Sequence, residues 1–193
     1  MPELLDPART ALLVMDYQGS IVQRIGDDAL VERANTAIGT VRAAGGHIGW
    51  VRVAFTDADF DAIPSTSVFA QMVGPERRAE MHADAPGTQI DARLDLRPED
   101  ASVRKIRVGA FTTTDLADQL GTRGVDTIVL AGISTSGVVL STVREAMDRD
   151  YRIVVLSDGC ADPDPETHAF LTERIFPRYA NVVTVDELSG LWP

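Results

Sequence analysis

Asp16 and Lys105 are the two charged residues whose positions in the sequence best suit them to chemistry. Asp16 directly follows the apolar run 11–15, which predicts a carboxylate at the end of a buried strand. Partial burial raises the pKa of a carboxyl group and suits it to proton transfer. An ammonium at Lys105 that faces Asp16 would hold the carboxylate in place and stabilise negative charge in a transition state. Position alone is equally compatible with a helix-capping aspartate and a solvated lysine.

A turn of small residues at 132–137 is the third candidate for chemistry. It has the sequence Gly-Ile-Ser-Thr-Ser-Gly and lies between an apolar segment and a predicted helix. Small residues leave the first backbone N–H groups of a helix accessible, and such groups bind anions or oxyanions. An ordinary tight turn is the alternative interpretation.

Alternating apolar patterns predict the elements that must position these residues. Strands are predicted at 11–16, 48–55, 102–108, 126–131, 151–157 and 182–185. Helices are predicted at 27–44, 114–123, 136–148 and 165–176, with a last helical turn at 186–188. This order predicts an α/β fold with three layers, a doubly wound and mostly parallel six-stranded sheet covered by helices on both faces. Ligands bind such sheets beyond the carboxyl ends of the strands.

Residues 56–100 carry the weakest pattern in the chain. Asp, Ser, Pro and Gly are scattered through them, and only 68–81 could form a short helix. We expect loops that shape a pocket. Since 193 residues suit one hydrophobic core, the prediction is one domain over 1–193.

Composition limits the classes of partner. The net charge of −11 and the absence of a Lys/Arg cluster disfavour nucleic acid, which leaves a small molecule or a protein as partner. The apolar runs are far shorter than the ~20 residues that cross a bilayer, so no membrane association is expected. A start unlike a signal peptide and the lone Cys160, which cannot form an internal disulfide, favour the cytoplasm.

The motifs, taken in order, resemble the isochorismatase-like hydrolases, the superfamily that also holds nicotinamidases and other cysteine amidohydrolases. The resemblance covers essentially the whole chain. It rests on Ala11–Gln18, Lys105, Gly109–Phe111, Thr114–Leu116, Gly132–Thr135, Asp158 and Ala161–Asp162.

The resemblance implies a triad from which this chain lacks one member. In the amidases of the superfamily, an aspartate, a lysine and a cysteine act together, and the thiolate attacks a carbonyl. Asp16 and Lys105 match the first two positions, and Val138 matches the third. A valine cannot act as a nucleophile, so a thioester route is closed at that position. Cys160 matches a position outside the triad, and a buried structural role is expected for it.

Isochorismatases proper also lack the cysteine and hydrolyse a vinyl ether, with the aspartate acting as an acid. By this resemblance, Asp16 would donate the proton, while Lys105 would orient Asp16 and bind a substrate carboxylate. Backbone N–H groups around Ser136–Val138 would bind a second anionic group. The substrate-binding residues implied are Gln18, Phe111, Ile133, Ser134, Ser136 and Gly137, and the superfamily often has a cis peptide at Ile133-Ser134.

No metal or other cofactor is expected. The metal-binding members use an aspartate and histidines after the second strand, where this chain reads Phe55–Phe60 without a histidine. The three histidines, His47, His82 and His168, are dispersed; His82 could approach the pocket, with a solvated loop histidine as the alternative. A dinucleotide cofactor is disfavoured because no G-x-G-x-x-G follows the first strand.

The sequence therefore favours a hydrolase that uses Asp16 and Lys105 without a cysteine and acts on a vinyl ether or an amide of a small metabolite. The alternative is a catalytically inactive member that binds a small ligand or serves in assembly. A homodimer or homotetramer is expected from the resemblance and from the apolar terminal residues Leu191 and Trp192.

Overall fold

The computed structural model describes residues 4–193 and contains a six-stranded parallel sheet. The strand order is β3-β2-β1-β4-β5-β6, and every neighbouring pair is parallel. The strands are β1 Thr10–Met15, β2 His47–Val53, β3 Ala101–Lys105, β4 Thr127–Ile133, β5 Arg152–Ala161 and β6 Asn181–Val183. The predicted doubly wound sheet is confirmed.

The helices connect the parallel strands and cover both faces of the sheet. They are α1 Gly19–Ile25, α2 Asp28–Ala43, α3 Asp57–Asp61, α4 Val68–Met72, α5 Arg78–Met81, α6 Leu116–Thr122, α7 Leu140–Met147 and α8 Pro165–Phe170. Short π-helical turns at Thr135–Val139 and Leu171–Ile175 precede α7 and follow α8. No helix within residues 4–193 is long and apolar enough to cross a bilayer.

The central strand β1 is buried along its whole length because helices pack on both of its faces. Leu12 and Val14 belong to the core cluster that includes the buried face of α2. Leu13 and Met15 belong to the opposite cluster, with buried residues of α6 and α7. The alternation of side chains along a strand thus explains why an unbroken apolar run forms the middle of three layers.

Several elements differ from the predictions: helix α3 was not expected, and the strand predicted at 151–157 continues to Ala161 as β5. Helix α1 was not expected, because Gly19 and Ser20 at its start are poor helix formers and Gln18 gives it no side-chain cap. The predicted helix at 68–81 is divided into α4 and α5 by Gly74 and Pro75, since proline begins a new 3₁₀ turn there. The predicted strand at 102–108 ends at Lys105, and 106–111 form a loop.

Candidate active site

The ends of three parallel strands bring the predicted site together. Asp16 follows β1, Lys105 is the last residue of β3, and Ile133 is the last residue of β4. All three residues line one cavity of about 670 Å³ at the carboxyl edge of the sheet. This is the edge where parallel sheets bind ligands.

The backbone at Asp16 turns sharply out of the sheet. Its φ angle is +59°, in the left-handed region that aspartate, asparagine and glycine tolerate better than other residues. The Asp16 N–H still donates to the Val51 carbonyl at 2.8 Å, so the turn remains anchored to β2. The carboxylate is held in the cavity wall with only 7% of its side-chain surface exposed.

Lys105 reaches across β2 to form a buried ion pair with Asp16. Its Nζ lies 2.9 Å from Asp16 Oδ2, and the Lys105 side chain is 3% exposed. The same ammonium donates to the carbonyls of Arg107 at 3.2 Å and Val108 at 3.0 Å. An ammonium has three donors, so these partners use all of them. In this arrangement no donor of Lys105 is left over for a substrate carboxylate, and that role of Lys105 stays a prediction.

The second oxygen of Asp16 has no partner. Within residues 4–193, Asp16 Oδ1 and Trp192 Nε1 are the buried side-chain atoms that lack a hydrogen bond. Burial raises the pKa of the Asp16 carboxyl above its ordinary value of 3.8, and the adjacent Lys105 ammonium opposes part of that rise. The carboxyl group therefore binds a proton more readily than a solvated aspartate does.

Val138 forms part of the cavity wall together with Ile133, Ser134 and Gly137. It lies in the π-helical turn Thr135–Val139 and is 3% exposed. The Ile133-Ser134 peptide bond is cis. An apolar side chain thus occupies the position at which the sequence resemblance expected a nucleophile.

Two of the N–H groups expected to bind an anion, those of Ser136 and Gly137, are already engaged within the chain. Ser136 donates from both its N–H and its Oγ to Asp162 Oδ2, at 2.8 and 2.7 Å. The Gly137 N–H donates to the carbonyl and hydroxyl oxygens of Ser134 at 3.2 and 3.1 Å. Ser136 does not line the cavity, and the Asp162 carboxylate of the protein itself lies where an anion would bind at Ser136. The predicted anion site at this turn finds no support at Ser136.

Gln18 and Phe111 are placed differently from the expectation that they bind substrate. Gln18 lines the cavity, but its amide bonds both backbone groups of Val53 and the Thr88 carbonyl, each at 2.8 Å. Its polar atoms therefore fasten β2 to the loop at Thr88. Phe111 does not line the cavity and instead stacks on Tyr151, with ring centroids 5.6 Å apart.

Cys160 is unsuited to nucleophilic chemistry. It is 4% exposed in the core under α7 and does not line the cavity. Burial raises the pKa of its thiol to about 12, so the reactive thiolate is scarce at neutral pH. The expected structural role agrees with this placement.

The structure brings one histidine to the turn that sequence reasoning did not connect with it. His168 Nδ1 lies 2.8 Å from Thr135 Oγ1. Thr135 is completely buried, and neither residue lines the cavity. The pair therefore supports the turn rather than presenting a hydroxyl nucleophile. His82 also lies outside the cavity lining.

Carboxylates near the second strand have internal partners. Asp59 accepts hydrogen bonds from Arg104 at 2.7 Å and from the Thr56 N–H and hydroxyl at 2.8 and 2.7 Å. In the described part of the chain, no group of three or more His, Cys, Asp or Glu residues is arranged to hold a metal ion.

The contribution of α1 to the cavity was not predicted from the sequence. Ile21, Arg24 and Ile25 line it from this helix, and Arg77 and Arg107 line it from the loops. The spacing of Ile21, Val22 and Ile25 is typical of a helix, but three residues are too few to predict one. The cavity is therefore more cationic and more enclosed than the motifs implied.

Comparisons with known proteins show the family of the chain. A model of the isochorismatase domain matches residues 10–187. The isochorismatase family protein YwoC of Bacillus subtilis is 34% identical, over 95% of this chain and 94% of YwoC. The ureidoacrylate amidohydrolase RutB of Methylobacterium radiotolerans is 31% identical, over 86% of this chain and 72% of RutB.

Two further matches concern structure and loss of activity. The structure of an isochorismatase family protein from Burkholderia thailandensis matches with a TM-score of 0.77 and 30% sequence identity. The match covers 98% of this chain and 97% of the Burkholderia chain. A probable inactive nicotinamidase of Arabidopsis thaliana is 29% identical, over 82% of this chain and 84% of the relative. The match to the domain model spans nearly the whole chain, and the sheet and its site lie within it, so this protein belongs to the isochorismatase family.

Proposed function

We propose that this protein hydrolyses a small metabolite with Asp16 as the acid and without a covalent protein intermediate. The observation that carries the proposal is the buried Oδ1 of Asp16, which has no partner and belongs to a residue that lines the cavity. A buried polar atom without a partner costs free energy, and a substrate or water that bonds it recovers that loss.

Lys105 acts on Asp16 and not on the substrate. Its ammonium holds Oδ2 at 2.9 Å, which leaves Oδ1 to face a ligand. The carbonyls of Arg107 and Val108 fix the ammonium in turn. Lys105 is therefore a positioning residue, because its proton donors are already used.

Val138 closes the thioester route that the cysteine amidases of the superfamily use. A valine has no atom that can attack a carbonyl, and Cys160 lies outside the cavity lining. The water that is consumed must then attack the substrate directly.

Vinyl ether hydrolysis fits this set of groups best. Protonated Asp16 donates its proton to the terminal carbon of the enol ether, which leaves an oxocarbenium ion and an aspartate anion. Water adds to the cationic carbon and returns a proton to Asp16, and the resulting hemiketal breaks its C–O bond. The net reaction converts one enol ether and one water into an alcohol and a ketone.

An amide is the other substrate class within the same proposal. RutB is named for amide hydrolysis, and an amide would require ionised Asp16 to take a proton from the attacking water. This route makes less use of the raised pKa of Asp16, since burial favours the protonated form. We therefore rank it second.

A ligand-binding member without catalysis is the competing function. It is favoured by the apolar side chain of Val138 and by the internal partners of the Ser136 and Gly137 N–H groups, which leave few donors for a developing anion. The Arabidopsis relative named a probable inactive nicotinamidase is a precedent in the same family.

The test is product detection by mass spectrometry after incubation with isochorismate, nicotinamide, ureidoacrylate and a panel of small amides. We expect turnover by the wild type and by Cys160→Ala, and none by Asp16→Asn. Asp118→Asn is the matched control, because Asp118 is an exposed aspartate outside the cavity lining. Turnover that persists in Asp16→Asn, or that disappears in Cys160→Ala, contradicts the mechanism; binding without any product supports the inactive alternative.

A further inference from the structure

The cavity carries a charge opposite to that of the whole protein. The chain has a net charge of −11, yet the cavity lining includes Lys105 and three arginines against the carboxylates of Asp16 and Glu80. Lys105 and Asp16 compensate each other as an ion pair. The remaining lining is cationic, which indicates an anionic ligand.

Two of the three arginines, Arg24 and Arg77, retain donors for such a ligand, whereas Arg107 donates to the Ile106 carbonyl at 2.6 Å and lies over the Phe69 ring. Arg24 makes no hydrogen bond or ion pair with another described residue through its side chain, and it is exposed at the end of α1. Arg77 gives one bond to the Met72 carbonyl at 2.8 Å, and its Nε lies 3.9 Å from Glu80. A guanidinium has five N–H donors, so both arginines can still bind an anion.

Apolar side chains occupy much of the remaining wall. Ile21 and Ile25 contribute from α1, and Phe69 and Met72 contribute from α4. Met72 is 51% exposed although it borders the cavity, so the apolar surface continues to the cavity mouth. A hydrocarbon portion of a ligand would cover this surface and gain free energy by removing it from water.

The volume of about 670 Å³ leaves room for an apolar body beside the reacting group of a ligand. It lies within the range of about 300–1,000 Å³ found for pockets that enclose ligands of drug size. The reacting bond lies at Asp16, so the rest of such a ligand extends along the apolar wall.

We infer that the substrate is an amphipathic anion whose reactive group meets Asp16, whose apolar body lies against α1 and α4, and whose carboxylate or phosphate binds Arg24 and Arg77. This inference rests on the proposed function, because Asp16 is taken as the reacting end. Arg24 is the specificity-determining residue, since its side chain has no competing partner among the described residues.

The test measures binding of three probes that share one apolar body: 4-phenylbutanoate, 4-phenylbutyl phosphate and the neutral 4-phenylbutanamide. Ligand-detected NMR gives the dissociation constants for the wild type and Arg24→Gln. Arg174→Gln is the matched control, because Arg174 is an exposed arginine outside the cavity lining and the charge change is the same.

We expect at least one anionic probe to bind the wild type about fivefold more tightly than the amide, as an exposed charge pair allows. Arg24→Gln should remove most of that preference, and Arg174→Gln should leave it. The ratio of carboxylate to phosphate affinity distinguishes the two head groups. Equal binding of the amide, an unchanged preference in Arg24→Gln, an equal loss in Arg174→Gln, or no binding by any probe overturns the inference.

The binding assay separates this inference from the proposed function. Asp16→Asn should keep the preference for the anionic probe because Arg24 is unchanged. If Asp16→Asn abolishes turnover but the wild type shows no preference for anionic probes, only the inference of an amphipathic anion is refuted. If the wild type prefers anionic probes but Asp16→Asn keeps its turnover, only the mechanism is refuted.

Discussion

Two walls of the same cavity differ in how their polar groups are satisfied. On the wall formed by the ends of β1 and β3, Asp16 Oδ1 is buried without a partner, and burial raises the pKa of the carboxyl group. On the wall formed by the turn after β4, Ser136 bonds Asp162 and the Gly137 N–H bonds Ser134. The turn resembles an anion site in sequence, but its N–H groups at Ser136 and Gly137 are used internally.

The difference teaches where reactivity can reside in a site. A polar group with all its partners has little to gain from a ligand, whereas a buried oxygen without a partner gains a full hydrogen bond. The wall of Asp16 is therefore proposed to carry the chemistry, and the wall of Val138 to give the cavity its shape. Four substitutions test this contrast.

The largest effect is expected from Lys105→Met. Loss of the ammonium frees Asp16 to rotate, so turnover should fall about 10²-fold or more.

Because Lys105 lowers the Asp16 pKa against the effect of burial, its removal raises that pKa further. If protonated Asp16 is the active form, activity declines as pH rises through its pKa. The declining limb of the pH–rate profile should then move to higher pH in the variant. An unmoved limb would show that another group governs it.

Val138→Cys should give the second largest effect, an increase in thiol labelling, because it places a thiol on the cavity wall formed by the turn after β4. A thiol at this position would line the same cavity as Lys105, whereas burial raises the pKa of the Cys160 thiol to about 12. We expect iodoacetamide to label the variant at neutral pH about 100-fold faster than it labels the wild type. Val139→Cys is the matched control, since Val139 is fully buried and does not line the cavity. Equal labelling of both variants would mean that the cavity does not expose position 138.

Gly109→Ala should have an intermediate effect through the loop that holds Lys105. A Cβ at position 109 would lie 2.3 Å from Glu145 Oε2, which accepts a bond from the Phe111 N–H at 3.1 Å. Either the Glu145 carboxylate moves and gives up its bond from the Phe111 N–H, or the loop itself shifts. Both movements weaken the support of the carbonyls that hold Lys105, so turnover should fall about tenfold. Gly121→Ala, in α6 with open space around it, should leave turnover unchanged. Equal rates for the two variants would remove the loop from the mechanism.

Asp162→Ala should have the smallest effect on activity. The substitution removes the carboxylate that accepts two hydrogen bonds from Ser136 in the turn after β4. The free energy of unfolding should fall by about 1–2 kcal/mol. We expect turnover to change less than about twofold. Urea unfolding and steady-state rates measure the two quantities. A large loss of turnover with little loss of stability would move the chemistry to the turn and reverse the contrast between the walls.

Much of the fold could be predicted because burial leaves a clear pattern. The run 11–15 is apolar at every position since both faces of β1 are covered, and the helix at 27–44 shows a regular apolar face that ends before Gly45. Helix α1 could not be predicted with the same ease. It has seven residues and a weak start, and its apolar residues Ile21, Val22 and Ile25 pack against the core cluster that includes α2.

The site was predictable in its positions and less so in its bonding. The motifs led to Asp16, Lys105 and Val138, and all three line one cavity. Sequence alone does not say which partner a polar group takes. Asp162 lies 26 residues after the Ser136 that it bonds, and Gln18 bonds Val53 and Thr88 from 35 and 70 residues away. Such partners are set by tertiary packing, which local patterns do not encode.

The left-handed backbone at Asp16 has a consequence for how this protein can evolve. At a φ of +59°, the residues that fit best beside aspartate are asparagine and glycine. Each can arise from an aspartate codon by one nucleotide substitution, and neither requires the strand or its turn to move. A descendant can therefore lose the proposed acid in one genetic step while it keeps its sheet and its cavity. Under the proposed mechanism, a single substitution at this position would convert an enzyme into a binding protein.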